Sequence, residues 1–162
     1  KWAELGHRGV WHFIGHLQTN KVKDVVGKFQ YIHSLDRLSL AEELEKKASQ
    51  LDLTVQCFIQ VNVSGERSKH GCSPDHLFHF AEQVRKFHRL RIVGLMTMAP
   101  YTEPEATRPV FRRLRELRDA LNDKGIFDEP VLHLSMGMSN DFEIAIEEGA
   151  TWIRLGSVLA GA

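Results

Sequence analysis

Cysteine is scarce in this sequence: there are two among 162 residues, Cys57 inside an apolar run and Cys72 just before a helical pattern. Two cysteines in such positions form neither a disulfide framework nor a thiolate metal site. Sparse, unpaired cysteine is typical of a reducing compartment, so the sequence predicts a cytoplasmic protein.

Three further absences exclude classes of function. The 21 basic and 21 acidic residues balance, so no general field attracts nucleic acid or an anionic membrane. No apolar run approaches the ~20 residues of a membrane helix. No glycine-rich nucleotide fingerprint follows the first predicted strand, where "GHLQTNK" stands instead. The chain begins at Lys1 with no leader-like segment, and we expect this start to lie inside a longer protein.

What the sequence does contain is a regular alternation of strands and helices. Six short apolar runs have the length and composition of buried strands. They cover residues 11–15, 30–34, 55–63, 91–97, 131–135 and 151–155. A helical pattern follows each run, and the runs lack alternating polarity. The sequence therefore predicts a parallel sheet covered by helices.

Three of the helical patterns carry boundary signals. Ser39 and Ser73 are predicted to cap two helices, and Pro74 suits a first helical position. Gly125 predicts a left-handed stop after a helix over residues 109–123. The residues predicted to face inward are Ala41, Leu44, Ala48, Leu51, Leu77, Phe80, Ala81, Val84, Phe87, Val110, Leu114, Leu117 and Leu121.

The choice of fold depends on the stretch from His133 to Ser157. Six strands alone would favour a doubly wound open sheet, because a barrel of eight needs two more. In this stretch, however, two neighbouring strands end in small residues, which is typical of the phosphate cup of a (β/α)8 barrel. We therefore predict an α/β fold of this TIM type. It would form a single domain over residues 1–162 and lack its first two strands.

Five ordered blocks carry a family resemblance. They are "WHFIGHLQTNK" (11–21), "IHSLDRLSLAEEL" (32–44), "IQVNVSGERSKHG" (59–71), "GLMTMAP" (94–100) and "LSMGMSNDFEIAIEEGATWIRLGS" (134–157). Together they resemble the pyridoxal-phosphate homeostasis proteins. The resemblance implies a barrel like the N-terminal domain of alanine racemase that binds pyridoxal 5′-phosphate (PLP) without established turnover. The family's PLP-attaching lysine, in a block resembling "AVSK", would lie upstream of this chain.

The cofactor site is predicted at the small-residue turns. A phosphate dianion is suited by backbone N–H groups with small side chains nearby, and Gly137, Met138 and Ser139 form such a turn. Ser139 is also expected to cap a helix that begins near residue 140. Gly156 and Ser157 would form the second wall of the cup.

A single arginine is predicted to contact the other end of the cofactor. By resemblance to racemase-like barrels, Arg154 should point inward and meet the pyridine nitrogen of PLP. Guanidinium carries only donors, so the ring nitrogen would stay unprotonated and the electron sink would be weak. Weaker candidates for the cofactor site are His12, Asn62 and Lys69.

We predict a non-catalytic PLP-binding protein of vitamin B6 and amino-acid homeostasis, with apo PLP-dependent enzymes as possible partners. The alternatives are a fold-type III PLP enzyme, such as an amino-acid racemase, and a phosphosugar-type barrel enzyme without PLP. His12 with His16, and His76 with His79, have spacings that a metal could use. Neither pair has a third ligand nearby in the sequence, so no metal site is predicted.

Overall fold

The computed structural model describes residues 10–67 and 70–154. Helices and strands alternate along this part of the chain as predicted. The elements are β1 (His12–Phe13), a 3-10 helix (Thr19–Lys21), α1 (Val22–Val25), β2 (Tyr31–Leu35), α2 (Leu38–Leu51), β3 (Val55–Gln60), α3 (Pro74–Val84), β4 (Leu90–Met96), a second 3-10 helix (Pro104–Thr107), α4 (Arg108–Lys124), β5 (His133–Ser135) and α5 (Phe142–Glu147).

The five strands form one parallel sheet in the order in which they occur in the chain, β1 to β5. A parallel bridge between Ser135 and Trp152 continues this order into the sixth predicted strand. Doubly wound sheets reverse their strand order at a switch point, and this sheet has no reversal among the described strands. The sheet is curled, as in part of a barrel.

Of the two serines predicted to cap helices, one does so and the other does not. The Ser73 hydroxyl accepts a hydrogen bond from the His76 N–H at 3.2 Å, and Pro74 opens α3, as predicted. Ser39 lies inside α2, whose N-cap is Arg37, and no side chain caps that helix end. The prediction for Ser39 was therefore wrong.

The inward faces of the helices were predicted with small errors at their ends. Gly125 ends α4 with a positive φ of 63°, as expected. Leu51, in the last turn of α2, is 44% exposed. On α4, the predicted Val110 is half-buried and packs against the core, and Phe111, which was not predicted to face inward, is fully buried. Both differences lie in the first or last turn of a helix, where periodicity predicts the buried face least well.

The sheet has apolar residues on both faces. Helices α2, α3 and α4 cover one face and form the main core with the strands. A smaller cluster, Phe58, Val93 and Met96, lies apart from that core, with Tyr31 and Trp152 packed against it. Trp152, which packs against this smaller cluster, also lines the candidate site. None of the described helices combines the length and apolarity needed to span a bilayer.

Candidate functional site

A cavity of about 420 Å³ opens beside the smaller cluster, at the carboxyl-terminal edge of the sheet. Its walls come from β1, β2, β5 and the segment that pairs with β5. The lining residues are His12, Ile14, His33, Ser135, Trp152, Ile153 and Arg154. In parallel α/β folds this edge is where ligands bind, so the cavity is the candidate cofactor site.

Four polar side chains form one hydrogen-bonded chain along the cavity wall. Arg154 Nη1 donates to the Ser135 hydroxyl at 2.8 Å, and this hydroxyl lies 2.9 Å from His33 Nδ1. His33 Nε2 in turn lies 3.0 Å from His12 Nδ1. The chain connects β1, β2 and β5 with the segment after α5.

In this series of hydrogen bonds, each side chain donates to the next one in the order Arg154, Ser135, His33, His12. Guanidinium cannot accept, so the Ser135 hydroxyl accepts from Arg154 and has its own proton to donate. Among described residues its remaining partner is His33 Nδ1, which therefore accepts. Neutral His33 then carries its proton on Nε2 and donates it to His12. One arrangement of protons thus accounts for all three hydrogen bonds between these side chains.

Burial keeps His33 neutral. Desolvation is the main cause that lowers its pKa, to about 3, and the neighbouring His12 and Arg154 lower it further. The His33 ring stacks on Phe58 with centroids 4.1 Å apart. His12 stacks on Tyr31 at 4.6 Å, and burial lowers its pKa as well. The histidines act here as neutral hydrogen-bonding groups in an aromatic setting.

Arg154 is a cation with an unfilled donor. Its Nη2 donates to the Thr97 carbonyl at 3.1 Å, whereas its buried Nε has no hydrogen-bond partner within residues 10–67 and 70–154. Burial lowers its pKa to about 10, against the opposing effect of the Asp141 charge, so it stays protonated at neutral pH. No described carboxylate lies within salt-bridge distance of it. A buried cation without an ion-pair partner is a candidate ligand contact.

The Gly137–Ser139 turn lies beside Arg154, whose backbone N–H donates to the Gly137 carbonyl at 2.9 Å. Gly137 has a φ of 102°, and a Cβ there would meet the Ala145 Cβ at 2.6 Å. Within the described chain, the N–H groups of Gly137 and Ser139 donate to no partner. The turn therefore has two backbone donors without a partner among the described residues.

Two details of the turn differ from the predictions. The Met138 N–H donates to the buried Asp141 carboxylate at 2.7 Å, so it is already satisfied. Helix α5 begins at Phe142 with Asp141 as N-cap, and Ser139 lies in the preceding turn. The prediction that Ser139 caps this helix was wrong, because the turn before the helix is longer than the sequence suggested.

The remaining residues predicted for the cofactor site do not all lie at the cavity. His12 lines the cavity, but Asn62 is not among its lining residues. The Asn62 side chain organises the loop after β3, donating to the Glu66 carbonyl at 2.7 Å and accepting from the Gly65 N–H at 3.1 Å. Lys69, Gly156 and Ser157 lie outside the described residues.

His33, Ser135 and Trp152 belong to the site but were not predicted from the sequence. His33 and Ser135 are buried polar residues within apolar strands, which was a usable signal. Trp152 packs against both His12 and His33, with centroids 4.8 and 5.5 Å away. Its position two residues before Arg154 would have suggested that both side chains face the same side of a strand.

The buried His33 makes stability depend on pH. Between its ordinary pKa of 6.5 and its folded pKa of about 3, the unfolded chain binds a proton that the folded chain excludes. The free energy of unfolding should therefore fall as the pH falls through this interval, by up to about 1.4 kcal/mol per pH unit from this site. Urea unfolding across the interval measures the slope. His33→Gln should flatten it and His88→Gln, at an exposed position, should not; equal slopes in all three proteins would refute this account.

Comparison with known proteins gives a family and a fold. The family model described as alanine racemase, N-terminal domain, matches residues 2–162. A pyridoxal phosphate homeostasis protein of Aquifex aeolicus is 51% identical over 152 residues, covering 93% of this chain and 66% of that protein. A pyridoxal phosphate homeostasis protein of Pseudomonas aeruginosa is 47% identical over 165 residues, covering 100% of this chain and 69% of that protein. The chain spans 63 to 69% of the length of such curated relatives.

Comparison with solved structures agrees with this family and this fold. PipY of Synechococcus elongatus with PLP bound is 34% identical with a TM-score of 0.86, and the match covers 94% of this chain and 72% of PipY. Alanine racemase of Clostridium difficile is 13% identical with a TM-score of 0.68, covering 85% of this chain and 36% of the racemase. This second likeness shows the fold alone, and it supports the racemase type of barrel over a doubly wound sheet.

Proposed function

The chain belongs to the family of pyridoxal phosphate homeostasis proteins, and we propose that it binds PLP in the cavity beside Arg154 without catalysing a reaction. The observation that carries this proposal is a set of unfilled donors, one on Arg154 in the cavity wall and two in the neighbouring Gly137–Ser139 turn. Arg154 Nε is buried without a partner, and the backbone donors of Gly137 and Ser139 are unused among the described residues. These groups fit a ligand with a ring acceptor and an anionic end.

Arg154 would contact the pyridine nitrogen of PLP. When bound, PLP supplies an aldehyde that reacts with amines and a ring that can withdraw electrons from the product. Withdrawal is strongest when the ring nitrogen is protonated. A protonated guanidinium can only donate, so it would hold that nitrogen as an acceptor and limit the chemistry. The chain of donors from Arg154 through Ser135 to His33 fixes the orientation of the guanidinium.

The Gly137–Ser139 turn would hold the phosphate. Backbone N–H groups and a hydroxyl suit a dianion, and the glycine lets the backbone approach closely. Met138 would contribute less than expected, because its N–H already binds Asp141. Gly156, Ser157 and Lys69 stay proposals for the same end of the site, together with His12 on the opposite wall.

The wider role is also proposed. The protein would carry PLP for vitamin B6 and amino-acid homeostasis and deliver it to apo-enzymes. PipY, with PLP bound, and relatives named for PLP homeostasis support this role. The consecutive strand order supports a closed (β/α)8 barrel for the complete fold. The two buried free cysteines, whose pKa burial raises to about 12, suit the cytoplasm.

Replacing Ser139 by alanine tests the phosphate end of the site. In the full-length gene product, we expect the substitution to weaken PLP retention at least about tenfold, because a hydrogen bond to a charged group is worth about 1.5 to 3 kcal/mol and about 1.4 kcal/mol corresponds to a factor of ten. The absorption spectrum of the PLP that stays bound should be unchanged. Retention is measured by dialysis against an apo-enzyme that takes up PLP.

Ser49→Ala, at an exposed position of α2, is the matched control and should retain PLP as the unchanged protein does. Equal retention in both variants would argue against a phosphate at the Gly137–Ser139 turn.

The proposal that the protein does not catalyse a reaction is tested by incubation with L- and D-alanine, for which we expect no inversion above that caused by free PLP. Robust inversion would instead favour a racemase.

A further inference from the structure

Three side chains from different loops meet at the carboxyl-terminal edge of the sheet. His16 follows β1, Asp36 directly follows β2, and His70 lies in the loop between β3 and α3. Each offers a ligand atom, and these atoms lie within 4.8 Å of one another. From this arrangement we propose that His16, Asp36 and His70 form a binding site for a divalent transition metal, separate from the cavity beside Arg154.

The set of donors determines which metal fits. Two imidazoles and one carboxylate are the ligands of open zinc sites, in which water fills the remaining position. Calcium and magnesium prefer oxygen ligands and would bind poorly. Zn²⁺, or Co²⁺ as its spectroscopic substitute, is therefore the appropriate occupant.

Asp36 is the fixed member of the site. Its side chain is 7% exposed, with one oxygen 2.7 Å from the Arg37 guanidinium and the other accepting from the Gly71 N–H at 3.1 Å. A carboxylate has about four lone-pair positions, so two stay open after these contacts. Such contacts orient a ligating carboxylate, as in known metal sites.

The loop that carries His70 is anchored beside it. Gly71 has a φ of 116°, and a Cβ there would meet the Asn62 backbone nitrogen at 2.8 Å. The Cys72 N–H donates to the Gln60 carbonyl at 2.9 Å, which fixes the loop to the end of β3. His70 therefore has a defined position although its ring is exposed.

The two imidazole rings have to reorient to bind a metal. They stack with centroids 3.8 Å apart and planes 15° apart. A metal lies in the plane of each imidazole that binds it, so two nearly parallel, stacked rings cannot share one ion. Both rings are exposed, and neither has a ring nitrogen hydrogen-bonded to a described residue. Because both rings are exposed, one ring can leave the stack by moving towards solvent, at the cost of the ring contact alone.

Zinc titration of the full-length gene product tests the proposal, with isothermal calorimetry for affinity and thermal unfolding for stabilisation. Changing either histidine to glutamine should weaken Zn²⁺ binding at least about tenfold, and His16→Gln with His70→Gln should abolish the stabilisation by Zn²⁺. Co²⁺ should give the visible bands of a low-symmetry site, and these bands should disappear in the same double variant.

His76→Gln with His79→Gln is the matched control. These histidines are an exposed pair on α3 with ring centroids 5.3 Å apart, and no described carboxylate joins them in a group of three. The control should bind Zn²⁺ as the unchanged protein does. Loss of binding in the control, or unchanged binding in the His16 and His70 double variant, would overturn the proposal. PLP retention is measured separately, so either result leaves the proposed function to its own test.

Discussion

Replacing Arg154 by glutamate should lower the retention of PLP by about one to two decades and change the absorption spectrum of the PLP that remains. The retention falls because charge-assisted hydrogen bonds worth about 1.5 to 3 kcal/mol are lost. The spectrum changes because a carboxyl group in place of a guanidinium would favour protonation of the ring nitrogen. Dialysis against an apo-enzyme measures the retention, and absorbance across pH measures the electronic state.

Two further variants distinguish the ring contact from a general charge effect. Arg113→Glu makes the same charge change at an exposed position of α4 and should alter neither quantity. Arg154→Lys keeps the positive charge but loses the planar donor pair, so it should weaken retention and leave the spectrum nearly unchanged. If Arg154→Glu binds PLP with an unaltered spectrum, Arg154 does not contact the ring nitrogen.

The second large effect is expected at Gly137. Changing it to alanine should destabilise the fold by about 2 to 4 kcal/mol and abolish PLP retention. The new Cβ would lie 2.6 Å from the Ala145 Cβ. In addition, residues other than glycine rarely adopt a φ of 102°. The displaced turn would also lose its alignment with Arg154. Urea unfolding gives the stability and dialysis gives the retention.

Gly125→Ala separates backbone strain from collision. Gly125 also has a positive φ, 63°, but a Cβ there would meet nothing within 4 Å. This variant should cost only about 1 kcal/mol and retain PLP. Equal destabilisation by the two substitutions would mean that the contact with Ala145 relaxes without cost.

The positions of the strands could be predicted from the sequence because each is a continuous apolar run bounded by turn residues. Val55 to Gln60 and Leu90 to Met96 are buried nearly throughout, as expected for parallel strands with both faces covered. The barrel prediction rested on small residues near 137 and 156, and the consecutive strand order agrees with it. The apolar runs and the small-residue turns are local in the sequence, so patterns of a few residues reveal them.

Contacts between distant segments could not be predicted in the same way. His33 and Ser135 are 102 positions apart, and no spacing indicates that their side chains meet. His16 was paired with His12 on the basis of spacing, yet its ring stacks on His70. Ser39 resembles a cap, but α2 begins one residue earlier, at Leu38. The two histidine contacts join segments that are far apart in the sequence, and only the folded sheet brings those segments together.

The consecutive order of the strands also affects how the chain can assemble during synthesis. Each described strand from β2 to β5 pairs with the one made just before it, so none of these strands has to insert between two that are already joined. Each new strand and helix can dock on a finished edge as it leaves the ribosome, and loop closure then involves only short stretches of chain. The growing edge, rather than a central nucleus formed from distant parts, would then set the sequence of folding events. Cavity-forming contacts such as Arg154 with Ser135 would be completed after β1 to β5 have paired.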